Sequence, residues 1–263
     1  MNEPVVLHAV DARGVATVTL NRPRVNNAYN AEMIAALLDL LPRLAADPSV
    51  RVVVLRGNGP HFQAGADLKW IDEVRGQGEA RNLAVSRRTA EAVRGLNEFP
   101  KPTVALVHGG CFGGGIGVIA ACDVVIAEDS AQFAITEARW GLIASIIIPQ
   151  LNGAMGLRQV RRYALSCERF GAPRAQALGL VHEVCAPGAL DATAAPVIDA
   201  FLKSAPDAMA LTKAIALAHA AQLMDAAYFD DLVSRHSHKR ASDEAVEGLA
   251  SFKEKRDPAW YPG

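Results

Sequence analysis

The 263-residue chain is poor in cysteine and carries almost no net charge. Its four cysteines form no CxxC pair and are too few for a disulfide scaffold. Lys and Arg total 27 against 28 Asp and Glu, a formal charge of −1, which does not indicate nucleic acid or an anionic membrane as a partner. No apolar run reaches the roughly 18 residues of a membrane span. The N-terminus has no basic region leading into an apolar one, so no signal peptide is expected. These absences predict a reduced, cytoplasmic protein.

Several catalytic signatures are also missing. There is no G-x-S-x-G elbow, no Walker loop and no H-E-x-x-H motif. His236 and His238 are the only closely spaced pair among the seven histidines, and they fall in a charged helical segment that is typical of a solvated face. We therefore expect no metal site and no metal or redox cofactor.

Hydrophobic residues make up 51% of the chain, ample for a core. Short Val-rich runs alternate with helical periodicity, which predicts an α/β fold over residues 1–195. From 196 to 263 the chain is Ala-rich and charged, with helical periodicity and no strand signal. Strands are predicted at 15–20, 50–56, 102–107, 124–127 and 180–184. Helices are predicted at 31–44, 82–96, 208–222 and after Ser242.

Small residues interrupt the segment from His61 to Leu68, which follows a predicted strand. Ala64, Gly65 and Ala66 would let a ligand approach the backbone closely. A plain tight loop is the alternative explanation.

Glycines dominate the segment from Gly109 to Gly117, between a strand and a helix. Exposed amides at a helix N-terminus, unobstructed by side chains, can bind an anion or an oxyanion. Gly115 to Ala120 also fits a loose G-x-G-x-x-A dinucleotide pattern, with Glu128 as a ribose-binding acid. The third alternative is a glycine-rich packing turn.

An acid stands among apolar residues in the third segment. Glu137, with Ile135 and Ala138 beside it, is a candidate general base with a raised pKa. The alternative is a surface acid paired with Arg139.

Taken together and in this order, four segments resemble the enoyl-CoA hydratase/isomerase (crotonase) superfamily. The resemblance rests on residues 15–28, 62–67, 112–123 and 174–181. It implies a spiral core of ββα repeats, a C-terminal helical trimerisation region and an acyl-CoA thioester substrate, with CoA as part of the substrate. A homotrimer or a dimer of trimers is expected.

The resemblance also implies roles for single residues. The backbone N–H groups of Ala66 and Gly114 would form the oxyanion hole, and Glu137 would be the catalytic acid/base. The predicted substrate and CoA contacts are Arg24, Val25, Ala64, Asp67, Leu68, Gly113, Arg139 and Trp140.

One position departs from the common hydratase pattern. Such hydratases resemble one another in holding a water between two glutamates, and the first of these would fall at Gly117. Glu137 would then act alone, deprotonating water and returning the proton to the α-carbon. A single glutamate is also the arrangement of Δ3,Δ2-enoyl-CoA isomerases, and a silent CoA-binding protein is a further alternative.

Residues 113–117, 136–142 and 162–170 are similar to glutaconyl-CoA-type hydratases, in which the same glycine replaces the first acid. The stretch from Trp140 to Ile148 resembles isohexenylglutaconyl-CoA hydratases of acyclic terpene breakdown more than 3-methylglutaconyl-CoA hydratases of leucine breakdown. Trp140 and Ile146–Ile148 would line an apolar pocket for the longer tail, or else be ordinary core or trimer contacts. Arg139 would pair with the distal carboxylate of the substrate, with Glu137 or with a surface acid.

Overall fold

The computed structural model describes residues 3–219, 226–240 and 242–263. The strands are β1 Val6–Val10, β2 Val15–Leu20, β3 Val52–Gly57, β4 Thr103–Val107, β5 Gly110–Phe112, β6 Val124–Glu128, β7 Gln132–Ala134, β8 Phe170–Gly171 and β9 Glu183–Cys185. The helices are α1 Ala31–Ala46, α2 Leu68–Arg75, α3 Glu79–Asn97, α4 Gly114–Ala120, α5 Ile148–Met155, α6 Leu157–Ser166, α7 Ala172–Ala177, α8 Leu190–Lys203, α9 Pro206–His219, α10 Ala226–Arg240 and α11 Asp243–Glu254. Single 3-10 turns lie at Pro23–Val25 and Glu137–Trp140.

The larger sheet has six strands in the order β1-β2-β3-β4-β6-β9. Strand β1 is antiparallel to β2, and all other neighbours are parallel. The central strands β3 and β4 consist of nearly unbroken apolar runs, as strands covered on both faces do. One face packs against α8, and the other against α1 and α3.

A smaller sheet forms a second layer in the order β5-β7-β8. Strands β4 and β6 belong to the large sheet, whereas β5 and β7, which follow them directly, belong to the small one. The chain therefore winds from one layer to the other and returns through a helical segment, as the predicted spiral of ββα repeats requires. The predicted fold class is confirmed.

Several boundaries differ from those predicted; for example, α3 begins at Glu79 rather than at 82, and β3 is Val52–Gly57 rather than 50–56. Three further differences lie in the C-terminal half. The last strand is Glu183–Cys185 rather than 180–184, because the amides of Leu180 and Val181 bond to the carbonyl of Ala175 and close the turn after α7. The predicted boundary at 195/196 falls inside α8, which continues unbroken through Pro196. The predicted helix at 208–222 begins at Pro206, and its last residues lie outside the described part of the chain.

The C-terminal third is helical, as expected for the described residues. The side chain of Ser242 caps α11 by accepting a hydrogen bond from the amide of Ala245. Among the described helices, none combines the length and apolar character needed to cross a membrane.

Candidate active site

The second layer brings the three segments singled out in the sequence side by side. Gln63 forms a parallel bridge with Cys111 of β5, and β5 pairs in parallel with β7. The amide of Gly113 continues this ladder by donating to the carbonyl of Ala134. The small-residue loop, the glycine cluster and the segment that leads to Glu137 are thus neighbours because each follows a strand of the same spiral.

Contact between the first two loops depends on glycine. Gly65 has a φ of +83°, a conformation that favours glycine, and a Cβ there would lie 3.0 Å from the carbonyl oxygen of Phe112. A Cβ at Gly113 would lie 3.5 Å from Oε1 of Glu137. The catalytic carboxyl predicted from the sequence is therefore in the immediate vicinity of the glycine cluster.

The predicted oxyanion-hole amides of Ala66 and Gly114 are not used by the neighbouring backbone ladder or helix. Ala66 bridges Tyr29 in parallel, with bonds from the Tyr29 amide to Gly65 and from the Asp67 amide to Tyr29. This pattern directs the N–H of Ala66 away from the bridge. Gly114 is the first residue of α4, so its N–H has no acceptor within the helix. Both residues line one cavity.

Glu137 begins the 3-10 turn after β7 and is half-buried. Burial raises the pKa of its carboxyl above the ordinary value, and the amides of Glu137 and Thr136 oppose that shift. Within the described structure, Oε2 is buried without a hydrogen-bond partner. A carboxyl with a raised pKa and one oxygen without a protein partner is suited to taking and returning a proton.

The place of the absent second acid is occupied by an isoleucine. A Cβ at Gly117 would lie 2.1 Å from Cγ2 and 2.5 Å from Cβ of Ile147. Ile147 is 1% exposed and belongs to the main core cluster. The glycine therefore makes room for a core side chain, and a longer residue at 117 has no space.

The cavity has a volume of about 620 Å³ and runs from these loops to the apolar face beneath α1 and α3. Its inner walls include Leu37 and Leu41 of α1 and Val93 and Leu96 of α3. Of the described residues lining the cavity, Glu137 is the only acid. Its two basic residues are Arg139 and Arg169.

The two arginines lie at the same end of the cavity. Arg139 donates to the carbonyl of Cys167 at 3.2 Å, and the guanidinium of Arg169 lies 5.2 Å from the centre of the Phe112 ring. Neither forms an ion pair with Glu137 or with any other described acid within 4.0 Å. The alternative in which Arg139 neutralises Glu137 is therefore wrong.

The predicted apolar lining is present in part. Trp140, Ile146 and Ile147 line the cavity, whereas Ile148 opens α5 and is not among the lining residues. Trp140 is 61% exposed, so it covers the mouth of the cavity rather than its interior.

Six of the predicted CoA contacts fall into three groups by their position in the structure. Ala64, Leu68 and Gly113 line the cavity. Arg24 and Val25 are exposed on the 3-10 turn outside it. The carboxylate of Asp67 is engaged by the protein, because it caps α2 and pairs with Arg22 at 3.0 Å. The CoA-binding roles of all six stay predictions.

Two important residues were not identified in the sequence. Asn27 is fully buried, and its side-chain amide donates to the carbonyls of Asn58 and His61, which fixes the loop before Ala64. Tyr29 lines the cavity, and its ring lies against Gly114. Asn26 and Asn27 belong to the segment 15–28 on which the family resemblance rests, but the hydrogen-bonding role of Asn27 and the direction of the Tyr29 side chain are not indicated by the local sequence.

The dinucleotide-binding alternative does not fit the structure. A Cβ at Gly115 would lie 2.9 Å from Oε1 of Gln63, so this glycine serves packing within the protein, as Gly117 does. The carboxylate of Glu128 accepts a hydrogen bond from the amide of Gly188. His238 is exposed on α10, and the described residues contain no cluster of three or more potential metal ligands.

Comparison with known proteins agrees with this geometry. The family model for enoyl-CoA hydratase/isomerase matches residues 11–262. The chain belongs to this family. A crystal structure of an enoyl-CoA hydratase from Shewanella pealeana superposes with a TM-score of 0.93 at 36% identity, covering 97% of this chain and 96% of that one. The family prediction, and with it the prediction of an enzyme of the hydratase type, a carbon–oxygen lyase, is confirmed.

Two further relatives extend the similarity. The structure of AtuE from Pseudomonas aeruginosa has a TM-score of 0.93 at 34% identity, covering 98% of this chain and 99% of that one. A mevalonyl-coenzyme A hydratase from Aspergillus fumigatus is 30% identical over 260 residues, which are 94% of this chain and 92% of that one. This hydratase-type enzyme therefore acts on CoA thioesters.

Proposed function

We propose that the enzyme adds water across the double bond of a 3-branched glutaconyl-CoA, with isohexenylglutaconyl-CoA preferred. The observation that supports hydration is the single carboxyl of Glu137, which is half-buried beside the glycine cluster in the cavity that Ala66 and Gly114 also line. Relatives named hydratases support the same reaction type.

In the proposed mechanism, the amides of Ala66 and Gly114 hold the thioester oxygen, on which negative charge develops. Glu137 takes a proton from water, and the resulting hydroxide adds to the β-carbon. The enolate then recovers that same proton from Glu137 at the α-carbon. One carboxyl serves both steps in sequence, so the reaction does not require the acid that Ile147 excludes at position 117.

Two arginines of the cavity lining support a substrate with a second carboxylate. Arg139 and Arg169 have no acidic partner within the described structure, so an incoming carboxylate could pair with either guanidinium group. The apolar walls beneath α1 and α3 offer space for a branched tail, at about 0.8 kcal/mol for each buried methylene.

The test compares isohexenylglutaconyl-CoA, 3-methylglutaconyl-CoA and crotonyl-CoA by loss of the conjugated enoyl-thioester absorbance. We expect the highest kcat/KM for the isohexenyl ester. Preference for the methyl ester would instead indicate leucine breakdown. Double-bond migration without uptake of water would indicate a Δ3,Δ2-enoyl-CoA isomerase, which the single glutamate also permits.

Arginine variants test the second carboxylate. Arg169→Gln and Arg139→Gln should each lower kcat/KM for the glutaconyl esters roughly 10- to 100-fold, as loss of a charged hydrogen bond does. Crotonyl-CoA has no distal carboxylate and should be unaffected. Arg162→Gln is a matched control, because Arg162 pairs with Glu168 outside the cavity. Equal losses on all three esters would contradict the carboxylate role.

We also propose a homotrimer or a dimer of trimers. Large apolar side chains are exposed on the C-terminal helices, among them Leu211, Leu249 and Phe252, the last at 82%. Such residues are typical of a surface covered by another chain. Sedimentation measurements would test the assembly, and a monomer at micromolar concentration would exclude it.

A further inference from the structure

One face of α4 carries two glycines that are covered by different side chains. Gly114 and Gly117 are three residues apart and so lie one above the other on this helix. Ile147 covers Gly117, and the Tyr29 ring covers Gly114, with its Cε1 2.7 Å and its hydroxyl 3.1 Å from where a Cβ would stand. Because Ile147 is apolar, Tyr29 supplies the polar group on this face.

The Tyr29 side chain is held in a defined position. Its backbone bridges Ala66, and its ring meets Trp70 edge to face, with the ring centroids 6.0 Å apart. Trp70 and Tyr29 line the same cavity as Glu137. The phenol is therefore fixed by the loop that carries one proposed oxyanion amide, and it contacts the residue that carries the other.

Tyr29 remains neutral under physiological conditions. Burial, and next the negative charge of Glu137, raise the pKa of its hydroxyl to about 12. The hydroxyl lies 3.1 Å from where a Cβ of Gly114 would stand, and Oε1 of Glu137 lies 3.5 Å from where a Cβ of Gly113 would stand, so the two groups border neighbouring residues. A neutral phenol can hydrogen-bond water without competing for the proton that Glu137 must take.

We propose that the Tyr29 hydroxyl holds the reacting water against Glu137, the task for which common family members use a second carboxylate. This inference rests on the proposed hydration. One proton of the water passes to Glu137, and the second is hydrogen-bonded to the phenol oxygen while the hydroxide oxygen bonds to the β-carbon. Tyr29 keeps its own proton throughout, so its role is to orient the water.

Two assays on Tyr29→Phe separate this role from the alternatives. The first is hydration of the preferred enoyl-CoA. The second is exchange of the α-protons of butyryl-CoA in deuterium oxide, which requires Glu137 and the oxyanion amides but no addition of water. We expect kcat for hydration to fall about 10- to 100-fold, KM to stay within twofold, and the exchange rate to stay unchanged. The control Tyr163→Phe removes a hydroxyl bonded to Arg174 outside the cavity and should leave both rates unchanged.

Each other outcome overturns the proposal. Equal losses in hydration and exchange would assign the hydroxyl to the enolate oxygen instead, and unchanged hydration would remove any role in the reaction. If the unmodified enzyme hydrates none of the esters, the proposed function fails as well. If the unmodified enzyme hydrates them and Tyr29→Phe does so equally fast, only the role of Tyr29 fails. A thermal unfolding midpoint equal to that of the unmodified protein verifies that Tyr29→Phe is folded.

Discussion

Replacing Gly117 with alanine should destabilise the protein, although alanine is the better helix former. The added Cβ would lie 2.1 Å from Cγ2 and 2.5 Å from Cβ of Ile147, a buried residue of the main core cluster, so a change of the Ile147 rotamer alone does not relieve the clash. Overpacking of this kind costs about 3 kcal/mol at the upper end of its usual range. The gain in helix propensity returns about 1 kcal/mol. The net loss is therefore about 2 kcal/mol, or roughly 4–8 °C in the unfolding midpoint for a chain of this size.

Thermal unfolding of matched variants isolates the clash. Gly95→Ala, in α3, is the control because no atom lies within 4 Å of its added Cβ, and it should stabilise the protein by up to about 1 kcal/mol. Ile147→Ala removes Cγ2 and Cδ1, which would lie 2.1 and 3.2 Å from the Cβ added at position 117, and keeps only the contact with Cβ at 2.5 Å. In the double variant, the cost of Gly117→Ala should fall by at least about 1 kcal/mol. Strict additivity of the two substitutions would refute the reasoning.

Two further substitutions test the site and its support. Glu137→Gln should lower kcat about 10²- to 10⁴-fold yet raise the unfolding midpoint at neutral pH. The raised pKa means that the folded state binds this proton more tightly, so the carboxyl costs stability once pH rises through its folded pKa. Unfolding midpoints measured from pH 4 to pH 8 should become equal for the two proteins at the acid end. An increase in the midpoint of the unmodified protein relative to that of Glu137→Gln with rising pH would contradict this reasoning. Asn27→Ala removes the hydrogen-bond donor of the Asn58 and His61 carbonyls. It should lower the free energy of unfolding in urea by about 2–4 kcal/mol. Asn58→Ala, which loses one exposed hydrogen bond, should cost under about 1 kcal/mol, and similar losses in both variants would contradict the role of Asn27.

Much of the fold is predictable because local patterns coincide with tertiary burial. The Val-rich runs at β3 and β4 are apolar on successive residues, and only a strand covered on both faces requires that. The helix predicted at 31–44 is present as α1, and its periodic apolar residues pack in the main core cluster with the large sheet. The start of β9 was misplaced because Leu180 and Val181 are buried in a turn, and burial alone does not distinguish a turn from a strand.

The site was predictable as a set of segments but not as an arrangement. Gly65, Gly114 and Glu137 stand out by residue type and by their order along the chain. The contacts of Ile147 with Gly117 and of Tyr29 with Gly114 were not visible, because the partners are 30 and 85 residues apart along the chain. Contacts of this kind arise only when the layers of the spiral stack.

The sequence by itself determined the α/β class, the family, the loops that carry the chemistry and the loss of one acid at Gly117. These properties depend on residue type and short spacing, which are read directly along the chain. The tertiary structure decided what fills the place of that acid, that Arg139 forms no ion pair with Glu137, and that the Tyr29 ring lies against Gly114 in the cavity. Each of these depends on which distant side chains share a volume, and packing in three dimensions alone determines that.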